Sequence, residues 1–89
     1  MPVTKSAEKR MRQTVVRTAR NRRVKSMVKT AMRRFEEALQ EGDRELARTR
    51  LVTAVRRIDQ AAAKGVIHKN NAARKKSRLT RLFNQSAAG

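Results

Sequence analysis

Cysteine is missing from the chain, so neither a disulfide nor a thiolate metal site can form. His68 is the only histidine, and one imidazole without a second His or a Cys makes no standard zinc site. Tryptophan and tyrosine are also absent. Phe35 and Phe83 are the only rings, so an apolar core must be assembled from Ala, Val, Leu, Ile and Met, with little help from large anchors. Only 38% of 89 residues are hydrophobic, which bounds the chain to one small domain with a thin core. Glycine occurs three times and proline once, at Pro2. This excludes a glycine-rich phosphate loop and leaves no proline to interrupt a helix further on. No apolar run exceeds the three residues Ala61 to Ala63, against the roughly twenty needed to span a bilayer. With no apolar stretch behind the basic N-terminus, a signal peptide is not expected, and a cytoplasmic protein is the simpler reading.

Acidic residues are the next scarcity. Seven face 24 Lys and Arg, and the resulting charge of +17 repels itself unless a polyanion neutralises it. The imbalance is not uniform: residues 1–34 carry +11, residues 35–63 carry −1 and residues 64–89 carry +7. The two ends are therefore expected to face the polyanion while the middle supplies packing. The acids Glu36, Glu37, Glu41, Asp43 and Glu45 gather at one turn, which is expected to point away from phosphates.

Three helices follow from the punctuation, spanning about residues 6–40, 44–64 and 69–85. Thr4 or Ser6 is a candidate cap for the first, Gly42 its stop, Asp43 the cap of the second and Gly65 its stop; Val66 and Ile67 are placed to fold back on the last turn. Asn70 or His68 starts the third. No alternating β-branched stretch calls for a strand. The second helix gathers Ala47, Leu51, Ala54, Val55, Ile58, Ala61 and Ala62 on one face, with Glu45, Arg56 and Gln60 opposite. The third sets Ala72, Leu79 and Phe83 against Arg74, Arg78 and Arg81.

The first helix changes character midway. From Val24 onward Met27, Val28, Ala31, Phe35, Ala38 and Leu39 form a core stripe, interrupted by Arg33. Projected back at about 100° per residue, the same face carries Lys9, Arg10, Gln13, Arg17 and Arg20, which no apolar core accepts unpaired. The expected fold is therefore all-α: one domain, residues 1–89, in which residues 24–85 form a three-helix bundle, residues 1–23 leave it as a basic helical arm, and residues 86–89 form a disordered tail.

Two basic elements are candidates for binding. The arm supplies Lys5, Lys9, Arg10, Arg12, Arg17, Arg20, Asn21, Arg22, Arg23 and Lys25, rich in Arg, whose planar fork grips phosphate oxygens in pairs. A solvated charged helix interleaves Glu with Lys, whereas this arm has only Glu8. The second element is His68, Lys69, Asn70, Asn71, Arg74, Lys75, Lys76 and Arg78, where a helix N-terminus adds unpaired N–H groups and a positive dipole end. His68, Asn70 and Asn71 also suit plain capping. Nothing supports catalysis: Glu36 and Glu37 point in different directions on a helix, and no nucleophile stands beside a base. No cofactor and no metal is expected. A long arm and a second basic face suit several nucleic-acid helices held at fixed angles, which favours folded RNA over one smooth duplex.

The stretch AAKGVIHKNNAARKKSRL over residues 62–79 closely resembles the third-helix signature of the bacterial small-subunit ribosomal protein number twenty family. Lys5-Ser6-Ala7, Lys9-Arg10, Arg20-Asn21-Arg22, Lys25-Ser26 and Glu41-Gly42-Asp43 agree with the same family, so the resemblance covers nearly the whole chain. Pro2-Val3-Thr4, Glu8 and the Val15-Val16 pair depart from it. The resemblance implies a three-helix bundle within the 30S subunit, its first helix inserted among 16S ribosomal RNA helices of the 5′ domain and touching the long 3′ minor-domain helix. It further implies early binding in assembly, with Lys5, Arg10, Arg22, Arg23, His68, Lys69, Asn70, Arg74 and Lys75 most directly carried over. Neither a membrane, a small-molecule substrate nor a second copy of the chain is an expected partner. Two rivals share the charge pattern: a nucleoid-type DNA-binding protein indifferent to sequence, and a membrane-active amphipathic peptide. The arm's lack of an apolar face opposes the latter.

Overall fold

The computed structural model describes residues 5–88. Three helices follow one another, α1 (Lys5–Glu41), α2 (Arg44–Ala63) and α3 (Lys69–Ala88), and no strand occurs among the described residues. At about 1.5 Å per residue α1 is roughly 55 Å long, and it dominates a molecule measuring 67 × 22 × 15 Å.

Each link between helices follows from local chemistry. Gly42 adopts φ 78°, a left-handed conformation that costs glycine nothing, and its N–H donates to the Leu39 carbonyl at 3.1 Å. Asp43 then caps α2, its carboxylate accepting from the Leu46 N–H at 3.0 Å. So short a link leaves α1 and α2 antiparallel neighbours. At the far end of α2, Gly65 takes φ 75°; its N–H donates to the Ala62 carbonyl at 3.0 Å and the Val66 N–H to the Ala61 carbonyl at 2.9 Å. This pair of bonds is a Schellman motif, and its hydrophobic companion is present, because Val66 and Ile67 pack on the core.

Thr4, one expected cap, lies outside the described residues. Ser6, the other, is already inside α1. At the opposite end α3 continues to Ala88, so residues 86–88, expected as a disordered tail, prolong the helix. The reason is visible at Arg44. Its guanidinium lies 4.1 Å from the centre of the Phe83 ring and donates to the Phe83 carbonyl and the Ser86 hydroxyl, each at 3.3 Å. The Ser86 hydroxyl in turn donates to the Phe83 carbonyl at 2.7 Å. These contacts tie the later turns of α3 to the start of α2.

The core runs through Val28, Ala31, Phe35, Ala38, Ala47, Ala54, Ile58, Ala61, Ala72, Leu79 and Phe83. Six of these eleven are alanine, so the helices approach closely and the larger groups Phe35, Ile58 and Leu79, all fully buried, fill what space remains. The two rings meet tilted at 44°, with centroids 6.5 Å apart. Two details of the expected α1 stripe change. Met27 is 39% exposed and sits at its edge, and Arg33 does not interrupt it, because its side chain is 71% exposed and pairs with Glu37 at 3.7 Å.

Candidate nucleic-acid interface

The point where the α1 stripe ends is where the helix leaves the bundle. Val24 still packs against the core, Asn21 is half-buried, and every side chain from Glu8 to Arg20 is exposed. Lys9, Arg10, Arg12, Arg17 and Arg20 therefore stand around a bare helix, with none of them in an ion pair. Lys5 opens the helix, and its side chain lies outside the described residues.

The base of the arm meets the start of α3. A groove of about 610 Å³ is edged by Arg22, Lys25 and Lys29 from α1 and by His68, Asn71 and Lys75 from the α3 side, over a floor of Val28, Met32, Val66 and Ile67. The Schellman turn creates this meeting, since the fold-back of Val66 and Ile67 directs the chain toward α1 before α3 begins. His68 is the N-cap of α3: its Nδ1 accepts from the Asn70 N–H at 3.1 Å and its carbonyl from the Ala72 N–H at 3.0 Å. With Nδ1 engaged as acceptor, the neutral ring carries its proton on Nε2, a donor that remains for a phosphate or hydroxyl. The side chains of Asn70 and Asn71, alternative caps on the sequence alone, make no hydrogen bond and stay exposed.

The remaining candidates do not all converge. Arg74 and Arg78 are exposed on the outer face of α3, away from this groove. Lys76 turns to α2 and pairs with Asp59 at 2.8 Å, a contact across helices that competes with any outside anion. Arg23, adjacent to Arg22 in sequence, falls on the other side of α1 and lines a separate groove with Arg34, Arg50 and Arg57. Lys29, Arg34, Arg50 and Arg57 were not singled out by sequence reasoning. The signal was present in the seven-residue spacing of Arg50 and Arg57, which puts both on one face of α2, but a net charge of −1 over residues 35–63 obscured it. No group of three His, Cys, Asp or Glu side chains able to hold a metal occurs among the described residues. No helix there is long and apolar enough to cross a membrane.

Comparison with known proteins decides the family, because the model of ribosomal protein S20 matches residues 2–84. The chain belongs to the ribosomal protein S20 family. The small ribosomal subunit protein bS20 of Natranaerobius thermophilus is 60% identical over 88 residues, covering 99% of this chain and 100% of its own. Its counterpart in Desulforamulus reducens is 58% identical over 87 residues, covering 98% and 99%. Membership makes the chain a structural component of the small ribosomal subunit in the cytoplasm, and these relatives are ribosomal proteins rather than enzymes.

Proposed function

We propose that this S20 protein binds 16S ribosomal RNA directly, clamping RNA helices where they converge in the 5′ domain and against the long 3′ minor-domain helix, and that this helps the subunit assemble. One observation carries the reading: the exposed cations of the arm lead without an acidic partner into the groove where Arg22, Lys25 and Lys29 meet His68, Asn71 and Lys75. Arg and Lys there relieve phosphate repulsion between converging RNA helices, and the bundle fixes how the arm and the α3 face are set relative to each other. Base-specific readout is not expected, because the chain offers no aromatic platform on which bases could stack.

Footprinting of the full chain on naked small-subunit RNA tests this at about 0.2 M salt, where phosphate attraction alone is weakened. Excess duplex DNA is included. Discrete protections in the 5′ domain that survive the DNA are expected. Diffuse protection, or loss of binding to the competitor, would leave only a generic polycation and would revive the nucleoid-protein reading.

A further inference from the structure

The arm is exposed along its length but is not alike all round. At about 100° per residue, Lys9, Arg10, Arg12, Arg17 and Arg20 fall within roughly 160° of its circumference, on the side that becomes the core stripe further along α1. The remaining roughly 200° carries Met11, Thr14, Val15, Thr18 and Ala19, and no cation between Ala7 and Asn21. Met11 and Val15, one turn apart, are 65% and 69% exposed, the most exposed large hydrophobic side chains among the described residues. The arm, expected to lack an apolar face, therefore has a small one. We infer that this uncharged face seats in the shallow minor groove of an A-form RNA duplex, with Arg10 and Arg17 reaching the phosphates of one strand and Arg12 those of the other. This rests on the reading of the chain as an RNA binder and names the face of the arm and the groove it takes.

Hydrogen-bond polarity favours this groove over bare phosphates. The Thr14 hydroxyl donates its proton to the Arg10 carbonyl at 2.9 Å, so toward the outside it can only accept. Glu8, the arm's one acid, lies on the same face, and its carboxylate also only accepts. A phosphate has no proton to offer them, whereas the 2′-hydroxyls displayed in the shallow groove do. The Thr18 hydroxyl, one turn further on, makes no hydrogen bond within the protein. Between these polar groups Met11, Val15 and Ala19 meet the C–H surfaces of the riboses. Arg10 and Arg12 stand about 100° to either side of Met11, so they straddle the face and reach both rims, where their forks pair with phosphate oxygens. A helix about 10 Å wide does not enter the minor groove of B-DNA, about 6 Å across, and the major groove of RNA is deep and narrow. A lipid surface would need more apolar area than Met11 and Val15 supply. A neighbouring protein could cover those two side chains, but it would leave the arginines on both edges without a counter-charge.

Hydroxyl-radical footprinting reads this seating directly, because the radicals cleave where ribose C–H groups are open to solvent. The full chain is compared on small-subunit RNA with T14V/T18V, which removes two hydroxyls and no charge, and with M11E/V15E, which sets two carboxylates in the face. All four positions are exposed, so the bundle is expected to melt unchanged. The unaltered chain is expected to protect riboses on both strands of one duplex, facing its shallow groove. M11E/V15E is expected to lose those protections and keep the others. T14V/T18V is expected to bind about twofold to tenfold more weakly for each hydroxyl lost, with the slope of log affinity against log salt unchanged. RNA carrying 2′-deoxyribose at the protected nucleotides is expected to bind T14V/T18V as well as it binds the unaltered chain. Ribose protections that M11E/V15E leaves intact overturn the seating, and if that variant then fails to enter the subunit the face belongs to a protein. No loss with T14V/T18V, or the same loss on the 2′-deoxy RNA, overturns it too. Absence of discrete protection by the unaltered chain instead overturns the RNA-binding reading on which it rests.

Discussion

Replacing Arg17 and Arg20 with alanine separates binding from folding, because both side chains stand on the part of α1 that packs against nothing. Neither is in an ion pair or a hydrogen bond, and both are exposed. Alanine is the better helix former by about 0.2 kcal/mol per site, and removing a like-charge pair three residues apart relieves a further few tenths. The free variant is therefore expected to melt at the same temperature as the parent, or slightly above. RNA binding changes in the opposite direction. Each phosphate contact contributes about 0.9 to the slope of log affinity against log salt on a duplex, so two lost contacts flatten the slope by about 2. Across a fourfold change, from about 50 to 200 mM, this means the variant's affinity falls roughly tenfold less than the parent's. Filter binding at four or five salt concentrations, alongside thermal melts by circular dichroism, provides both readouts. A melting point lowered by several degrees would place these arginines in the fold, and an unchanged slope would remove the arm from the interface.

Other positions give complementary signatures. His68→Ala removes the cap of α3 and is expected to cost stability at the low end of the ~0.5–2 kcal/mol range for caps, whereas His68→Asp restores a cap acceptor but sets a carboxylate beside Lys75 and weakens RNA binding. Melting and binding measured together distinguish the two roles of this residue. Gly65→Ala meets no atom within 4 Å, so its cost is that of φ 75° alone, about 1–2 kcal/mol, seen as a melting point lowered by several degrees. Phe35→Ala empties the centre of the bundle and is expected to cost about 3–5 kcal/mol, enough to unfold the free chain, as circular dichroism would show.

How far the fold was legible depended on whether a signal was local. Gly42, Asp43 and Gly65 punctuate the chain through backbone conformations and caps that need only their neighbours, so three helices and their order followed from the sequence. The end of the packed stripe at Val24 was equally readable, since a face of Lys9, Arg10, Arg17 and Arg20 has no place in an apolar core. Contacts between residues far apart in sequence were not readable. Arg44 looks like one more surface cation until the antiparallel pairing brings it over Phe83, 39 positions later, and there it holds the end of α3 that was expected to fray. Lys76 resembles its neighbours Lys75 and Arg74, yet its direction around α3 commits it to Asp59.

The same reasoning limits what net charge reveals about an interface. Residues 35–63 are almost neutral in sum, but helices sort charges by face and by end. Five of their six acids fall between Glu36 and Glu45 at the α1/α2 turn, while Arg50 and Arg57 lie further along α2 beside Arg23 and Arg34. A segment can thus be neutral overall and still contribute half of a basic groove, because a phosphate a few ångströms away responds to the nearest charges and much less to those beyond a screening length of about 8 Å. The acidic turn at one end of the bundle and the bare arm at the other give the molecule a direction. On the proposed reading the arm is the end that enters the RNA, and the turn, whose carboxylates phosphates repel, is the end expected to stay outside.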